Sequence, residues 1–389
     1  MKRLSEGLRN VIALGFVSFF TDISSEMCFS ILPTFILGLT GASRAVLGVI
    51  EGLAEALSYG MRAVSGVFSD RFRRRKAIVL VGYAFSNAVK PLFAVAQTVV
   101  DALVIRVGDR IGKAVRTSPR DALLSESVSD KRMGAAFGLH RALDQTGAIL
   151  GPILASAFML FGFTVRDIFL ISFLPGLIAL VILLTLVKER VGKPAGKEKV
   201  LIEVETVLKG RFSLLLLVVV LFSIGAFNFS FILLRAKDAG VPESLIPLVY
   251  AVLNMAHAII AIPAGLLSDK IGKEPVLIMG YGIFFTSALL LSAPFGGPVY
   301  AFFVALVYGA YVGIVETVQR ALVPGYAPSD LRGTAYGIYY LTVGLSFLLA
   351  NTIIGYMWET LGSSVAFTYS AITAGTAIIG MVAFIKAKS

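Results

Sequence analysis

The stretch Gly66-Val67-Phe68-Ser69-Asp70-Arg71-Phe72-Arg73-Arg74-Arg75-Lys76 closes a long apolar run, and nearly the same wording returns at Gly265-Leu266-Leu267-Ser268-Asp269-Lys270-Ile271-Gly272-Lys273-Glu274. Asp70 and Asp269 lie 199 residues apart, as do Gly66 and Gly265. A second pair keeps the same offset: Gly134-Ala135-Ala136-Phe137-Gly138 and Gly333-Thr334-Ala335-Tyr336-Gly337. Two matched segments at one offset make an internal repeat of about half the chain. In a membrane protein, two equivalent halves point to something being moved between them.

Working outward from the repeat, the 389 residues are 57% hydrophobic and 15% charged. That is too little polar surface for a soluble protein of this length. Apolar stretches long enough for a helix to cross a bilayer recur near 11–38, 46–68, 77–96, 102–118, 135–161, 168–187, 213–234, 245–268, 275–292, 299–318, 333–358 and 365–384. Backbone in lipid must satisfy its own hydrogen bonds, so these are expected to be helices. The expected fold is an all-α integral membrane protein with twelve transmembrane helices in two pseudo-symmetric six-helix bundles. The polar, Pro- and Gly-containing segment from Lys188 to Arg211 divides it into bundles at 1–187 and 212–389.

The formal charge of +11 is better explained by membrane topology than by nucleic acid. Basic residues crowd alternate loops: Lys2, Arg3 and Arg9, then Arg71 to Lys76, then Lys131 and Arg132, then the 188–211 linker, then Lys270 and Lys273. The opposite loops carry little beyond Arg44, Arg166, Arg235 and Lys237. Both termini are therefore expected on the cytoplasmic face of the cell membrane, with the first span retained. The lone cysteine, Cys28, lies within that span and reads as a small buried residue.

Three motifs carry a family resemblance. The repeated loop matches at Gly66, Asp70, Arg71, Arg74 and Arg75, and again at Gly265, Asp269, Lys270 and Gly272. In the fourth span, Arg106-Val107-Gly108-Asp109-Arg110-Ile111-Gly112 follows an R-x-x-Q-G-x-G pattern, with Asp109 and Arg110 replacing Gln and Gly. In the fifth, Gly138, Gly147, Gly151 and Pro152 keep the spacing of G-x8-G-x3-G-P, with Ala155 and Ser156 in place of two later glycines. With six plus six spans and a basic linker, the whole chain resembles the major facilitator superfamily of transporters. The fifth-span motif is similar to that of its exporter branch, which implies outward, proton-linked antiport.

Ionisable residues at membrane depth are costly and mark pathways or relays. Asp22 and Glu26 are four apart, on one face of the first span. Glu51 and Glu55 share a stripe in the second; Arg106, Asp109, Lys113, Arg116 and Arg120 share one in the fourth, flanked by Arg110. Asp22, Glu26 and Arg106 are read as the proton-coupling group, a carboxylate alternating between an arginine and a proton. Glu51, Glu55, Asp109, Arg110 and Lys113 are read as lining a substrate cavity. The rival reading of each is a salt bridge holding helices together, or a snorkelling side chain. Arg116 and Arg120 read as lying near the cytoplasmic face. His140, Asp144, Gly147 and Gly151 share one face of the fifth helix, expected to pack against the other half with His140 and Asp144 as a gate latch.

The second half offers Asn254, His257, Tyr308 and Tyr311 as a cavity lining suited to an apolar or amphipathic ligand. Gly66, Asp70, Arg71 and Arg74, with Gly265, Asp269 and Lys270, read as a cytoplasmic gate, since an aspartate at a helix end can pair with an arginine or cap a neighbouring helix. The expected partners are a small-molecule substrate, protons and the bilayer, with the protein acting as a monomer and without nucleic acid. No metal, cofactor, nucleotide loop or nucleophile–base pair is indicated, so no enzyme is expected. The expected activity is secondary active transport by alternating access, as proton-coupled export of small amphipathic organic molecules. The rivals are an importer or facilitator of an anionic metabolite, and a non-transporting membrane sensor.

Overall fold

Long apolar runs leave the backbone one way to bond itself in lipid, and the described residues are almost entirely helical. The computed structural model describes residues 2–72, 75–128, 132–189, 204–208, 210–294, 296–327 and 331–387; for 2–6 and 62–72 it describes backbone alone. Most of the linker, with Arg73 and Arg74 of the first repeat, falls outside the described residues.

Sixteen α-helices are described: α1 (Lys2–Phe29), α2 (Leu32–Leu37), α3 (Arg44–Phe72), α4 (Arg75–Val89), α5 (Val99–Glu126), α6 (Met133–Leu160), α7 (Val165–Ile171), α8 (Phe173–Leu186), α9 (Val204–Val207), α10 (Arg211–Ser223), α11 (Phe229–Asp238), α12 (Ile246–Ile271), α13 (Lys273–Ser292), α14 (Pro298–Tyr326), α15 (Arg332–Leu361) and α16 (Ser363–Lys386). Among the described residues, nine helical stretches are long and apolar enough to cross a membrane.

Three of the twelve expected spans are not among those nine. Two, α3 and α5, have 29 and 28 residues and so span about 42 Å, but they carry too many charges to read as apolar. The third, expected at 213–234, is interrupted: α10 stops at Ser223 and α11 begins after Asn228. Gly225 there lies so close to the Thr373 side chain that a Cβ would overlap it. Asn228 caps α11, its side chain accepting from the Ser230 N–H at 2.9 Å. The Asn228 N–H in turn donates to the Asn351 side chain at 2.8 Å, so the break leaves this buried donor satisfied.

The repeated motif differs from the sequence reading as well. Gly66 to Phe72 belongs to α3 and Gly265 to Ile271 to α12, so both motifs are last helical turns rather than loops. Nothing between Gly66 and Phe72 breaks a helix. The second copy ends at Gly272, whose φ of +99° admits glycine readily and turns the chain into α13.

The chain divides into two compact units: residues 1–41 with 57–198, and 42–56 with 199–389. The first half of α3 thus groups with the second unit. In the first unit α1 lies along α6 and α8, and α4 along α5. In the second, α12 packs on α14, and α13 on α14 and α16. On the charged helix α5, polar side chains are buried and apolar ones exposed. On α5, Val104 is 65% exposed while Arg106, two residues on, is 0% exposed. An apolar outer face and a buried polar one suit a helix set in a bilayer.

Candidate functional site

Polar side chains of the first unit converge from four elements. On α1, Ser18, Asp22, Ser25, Glu26 and Phe29 recur at helical spacing and share one face. The α6 helix can press against that face because it has no side chain at two positions. A Cβ on Gly147 would meet the Phe19 backbone, and one on Gly151 would lie 2.8 Å from the Ile23 carbonyl oxygen. The sequence reading expected this face of α6 to meet the other half; it packs on α1 of its own unit. Small residues state only that something comes close, not which helix.

This close approach brings acids together. The Asp22 and Asp144 carboxyl groups lie close enough to one another to share a hydrogen bond. Carboxylates only accept, so such a bond needs one proton held by the pair. Arg141 lies 3.0 Å from the other side of Asp144, and Lys113 and Glu26 act on Asp22 through their charges. Four residues before Asp144, His140 Nε2 lies 2.9 Å from the Ser18 hydroxyl, which also accepts from Arg120 at 3.4 Å. Tyr83 is 3.5 Å from the same hydroxyl. The Tyr83 ring lies under Arg116, at 4.3 Å. Arg116 is buried.

At the other end of this seam, Arg106 and Arg110 stand four residues apart on α5. Both lie over the ring of Phe29, at 3.9 and 5.2 Å. Asp109 sits between them in sequence, buried, and accepts from Ser86 at 2.6 Å. Sequence reasoning missed Lys90. It sits in the short 3₁₀ turn Lys90–Val95 after α4, is 0% exposed, and donates to Ser24 at 2.6 Å and Ser25 at 3.1 Å. Its position inside the apolar run at 77–96 was the available signal. Cys28 is buried as expected, its thiol donating to Ser172 at 3.0 Å.

The remaining candidates lie elsewhere. Glu51 and Glu55 are on the part of α3 that groups with the second unit; Glu51 is buried and Glu55 half-buried. There α3 is held tightly. A Cβ on Gly48 would overlap the Asn351 carbonyl, and one on Gly52 would lie 2.9 Å from the Leu348 Cα. Arg44, which the sequence reading counted only as a loop charge, caps this contact. Its backbone N–H donates to Glu359 at 2.9 Å, and its guanidinium reaches Asp238 at 3.3 Å and stacks 5.1 Å from the Trp358 ring. Asn254 is buried, and His257 pairs with Glu316 at 3.7 Å. Tyr308 and Tyr311 belong to a ring cluster with Phe227 and Phe284, and the Tyr308 hydroxyl donates to the Phe227 carbonyl. Tyr281 stacks on Phe222 at 3.9 Å and donates to Gln319 at 3.0 Å.

Of the gate residues, Arg74 lies outside the described residues, as do the side chains of Asp70 and Arg71. Asp269 and Lys270 are exposed at the end of α12. Among the described residues no three His, Cys, Asp or Glu side chains are grouped to hold a metal.

A buried polar seam within lipid-facing helices is the architecture of a membrane pathway, and comparison with known proteins agrees. The family model for the Major Facilitator Superfamily matches residues 14–351, and again 214–388. An MFS-type transporter of Methanocaldococcus jannaschii is 35% identical, covering 94% of this chain and 92% of its own. A Mycobacterium tuberculosis protein is 30% identical over 90% and 87%. Among solved structures, the nucleoside transporter NupG superposes with a TM-score of 0.81 at 15% identity, covering 97% and 99%; at that identity the likeness is one of fold. The chain belongs to the Major Facilitator Superfamily, and it is a multi-span membrane protein of the secondary-transporter type.

Proposed function

We propose that this protein is a proton-coupled exporter of small amphipathic organic molecules. It works by alternating access in the cell membrane, with twelve crossings, both termini cytoplasmic, and as a monomer. The observation that carries the reading is the carboxyl pair Asp22–Asp144, close enough to share a hydrogen bond where α6 presses on α1.

The chemistry follows from charge balance. With one proton, the pair carries a single negative charge, offset by Arg141 at 3.0 Å and by nearby Lys113. Losing that proton would leave two adjacent negative charges in a low dielectric, which is costly unless a cation approaches or the helices part. Proton occupancy is thereby tied to the α1–α6 geometry, and a moving helix changes both. Glu26 and Arg106 complete the coupling group. The residues proposed for substrate contact are those read from the sequence: Asp109, Arg110, Lys113, Glu51, Glu55, Asn254, His257, Tyr308 and Tyr311. Gly66, Asp70, Arg71 and Arg74, with Gly265, Asp269 and Lys270, serve as the cytoplasmic gate. The outward direction rests on the resemblance of Gly138, Gly147, Gly151 and Pro152 to the exporter motif.

The test is substrate-induced proton movement in proteoliposomes, read with a pH-sensitive dye. Pooled organic anions, cations and neutral amphipaths are offered to the native protein and to Asp22→Asn. A response to one pool that vanishes in Asp22→Asn is expected. Labelled-substrate flux without proton movement would refute the coupling.

A further inference from the structure

The polar seam does not end at the Asp22–Asp144 pair. One helical turn before it, on both helices, Ser18 and His140 form a second rung. Asp22 follows Ser18 by four residues, and Asp144 follows His140 by four. The two helices therefore run side by side in the same direction, and the rungs stack along one line. His140 is 4% exposed and Ser18 2%. Tyr83 of α4 and Arg120 of α5 close on the same Ser18 hydroxyl, at 3.5 and 3.4 Å. Arg120 pairs with Asp121 at 2.8 Å, and the Asp121 side chain is 42% exposed. A line of polar side chains thus runs from the buried acids past His140 to an open carboxylate near the end of α5.

Along this line the imidazole stands apart in its chemistry. Guanidinium groups stay charged, so Arg120 and Arg141 hold their protons throughout. An imidazole takes up and returns a proton near neutral pH, and the surroundings of His140 suit either state. When the ring is neutral, the Ser18 O–H donates to Nε2. When the ring is an imidazolium, its Nε2–H donates to Ser18, and the Ser18 proton turns to the Tyr83 oxygen. Nε2 keeps a partner in both states, so neither carries the cost of an orphaned buried group. The charges that act on the ring are divided in the same way: Arg120 and Asp121 from α5, Arg141 and Asp144 from α6.

We propose that His140 carries the proton between the Asp22–Asp144 pair and the open end of the line at Asp121, with the Ser18 hydroxyl holding the ring in both states. One proton is transferred at each step. A carboxyl O–H of the pair gives it to the imidazole, leaving two carboxylates and an imidazolium, and the imidazolium then releases it toward Asp121. Return uses the same groups in reverse. That a proton is moved with substrate rests on the function proposed above; that His140 changes charge beside the pair does not.

The chain has two histidines, His140 and His257, so each ring can be followed by its own resonance. Full-length protein in detergent, labelled with nitrogen-15 in the histidine rings, is titrated with acid and base, and His257→Gln identifies the His140 signal. His140 is expected to change state between about pH 4 and 9. Arg141→Gln, which removes a cation facing the ring, is expected to move that change to higher pH. In proteoliposomes, proton movement with the responding pool should rise and fall with pH as the ring titrates. His140→Gln should slow it about a hundredfold and lose that pH dependence. A ring fixed in one state throughout, or proton movement in His140→Gln equal to that of the native protein, would overturn the proposal. Where His140→Gln fails to unfold cooperatively on heating, the titration of the native ring decides. Flux of labelled solute without proton movement in the native protein removes the coupling itself, whereas unaltered proton movement in His140→Gln removes only the relay.

Discussion

Replacing Gly147 by alanine tests whether the close α1–α6 contact builds the site. A Cβ there would lie 3.0 Å from the Phe19 carbonyl carbon and 3.1 Å from its Cα, with the carbonyl oxygen nearer still. Ordinary carbon contacts begin near 3.5 Å, so the two helices must part by roughly 0.5–1 Å. Both partners are backbone and cannot rotate away. Overpacking of this kind costs about 1–3 kcal/mol. Gly138→Ala on the same helix is the matched control, because a Cβ there meets nothing within 4 Å. The helix-propensity gain of glycine to alanine, about 0.5–1 kcal/mol, is common to both and cancels in the comparison. Gly147→Ala should therefore unfold about 1–3 kcal/mol sooner than Gly138→Ala, a gap of several degrees by thermal unfolding in detergent. Separating α1 from α6 also parts the Asp22 and Asp144 carboxyl groups, so proton movement in proteoliposomes should fall in Gly147→Ala and persist in Gly138→Ala. Equal unfolding temperatures and equal proton movement would refute the reasoning.

Two further outcomes follow from single residues. Asn351→Ala removes the acceptor of the buried Asn228 N–H at the α10–α11 break, and an orphaned buried donor should cost about 1–3 kcal/mol; an unchanged thermal midpoint would contradict this. Thr98→Ala removes a capping box in which Thr98 accepts from the Asp101 N–H at 3.2 Å and Asp101 accepts from the Thr98 N–H at 2.9 Å. It should destabilise α5 by about 1 kcal/mol and speed amide exchange in its first turn, and unaltered exchange there would contradict it.

Much of this architecture was legible in the chain, for reasons that can be named. The 199-residue offset between Asp70 and Asp269 announces two related halves without reference to any structure. Helical spacing alone places Asp22 and Glu26 on one face of α1, and Arg106 and Arg110 on one face of α5. The structure brings both faces into one seam. Periodicity says which residues share a face, but not which helix that face meets. For that reason Gly147 and Gly151 were assigned to the wrong neighbour. Lys90 escaped notice because the sequence does not say what a single lysine within the 77–96 run meets. The 3₁₀ turn carries its ammonium onto Ser24 and Ser25 of α1, a contact 65 and 66 residues distant in sequence. The break between α10 and α11 contains no proline. Its cause is tertiary: Gly225 is pressed against Thr373, and Asn351 supplies the hydrogen bond that the helix gives up.

The central claim is that a proton gradient drives substrate movement through this protein. Its most direct test is accumulation of a labelled, permanently ionised organic solute from the responding pool into proteoliposomes with an acid interior. Outward proton flow should load the solute above its external concentration, and the loading should disappear when the gradient is collapsed or Asp22 is replaced by asparagine. Equilibration to the external concentration, indifferent to the gradient, would mean a passive facilitator and contradict the account.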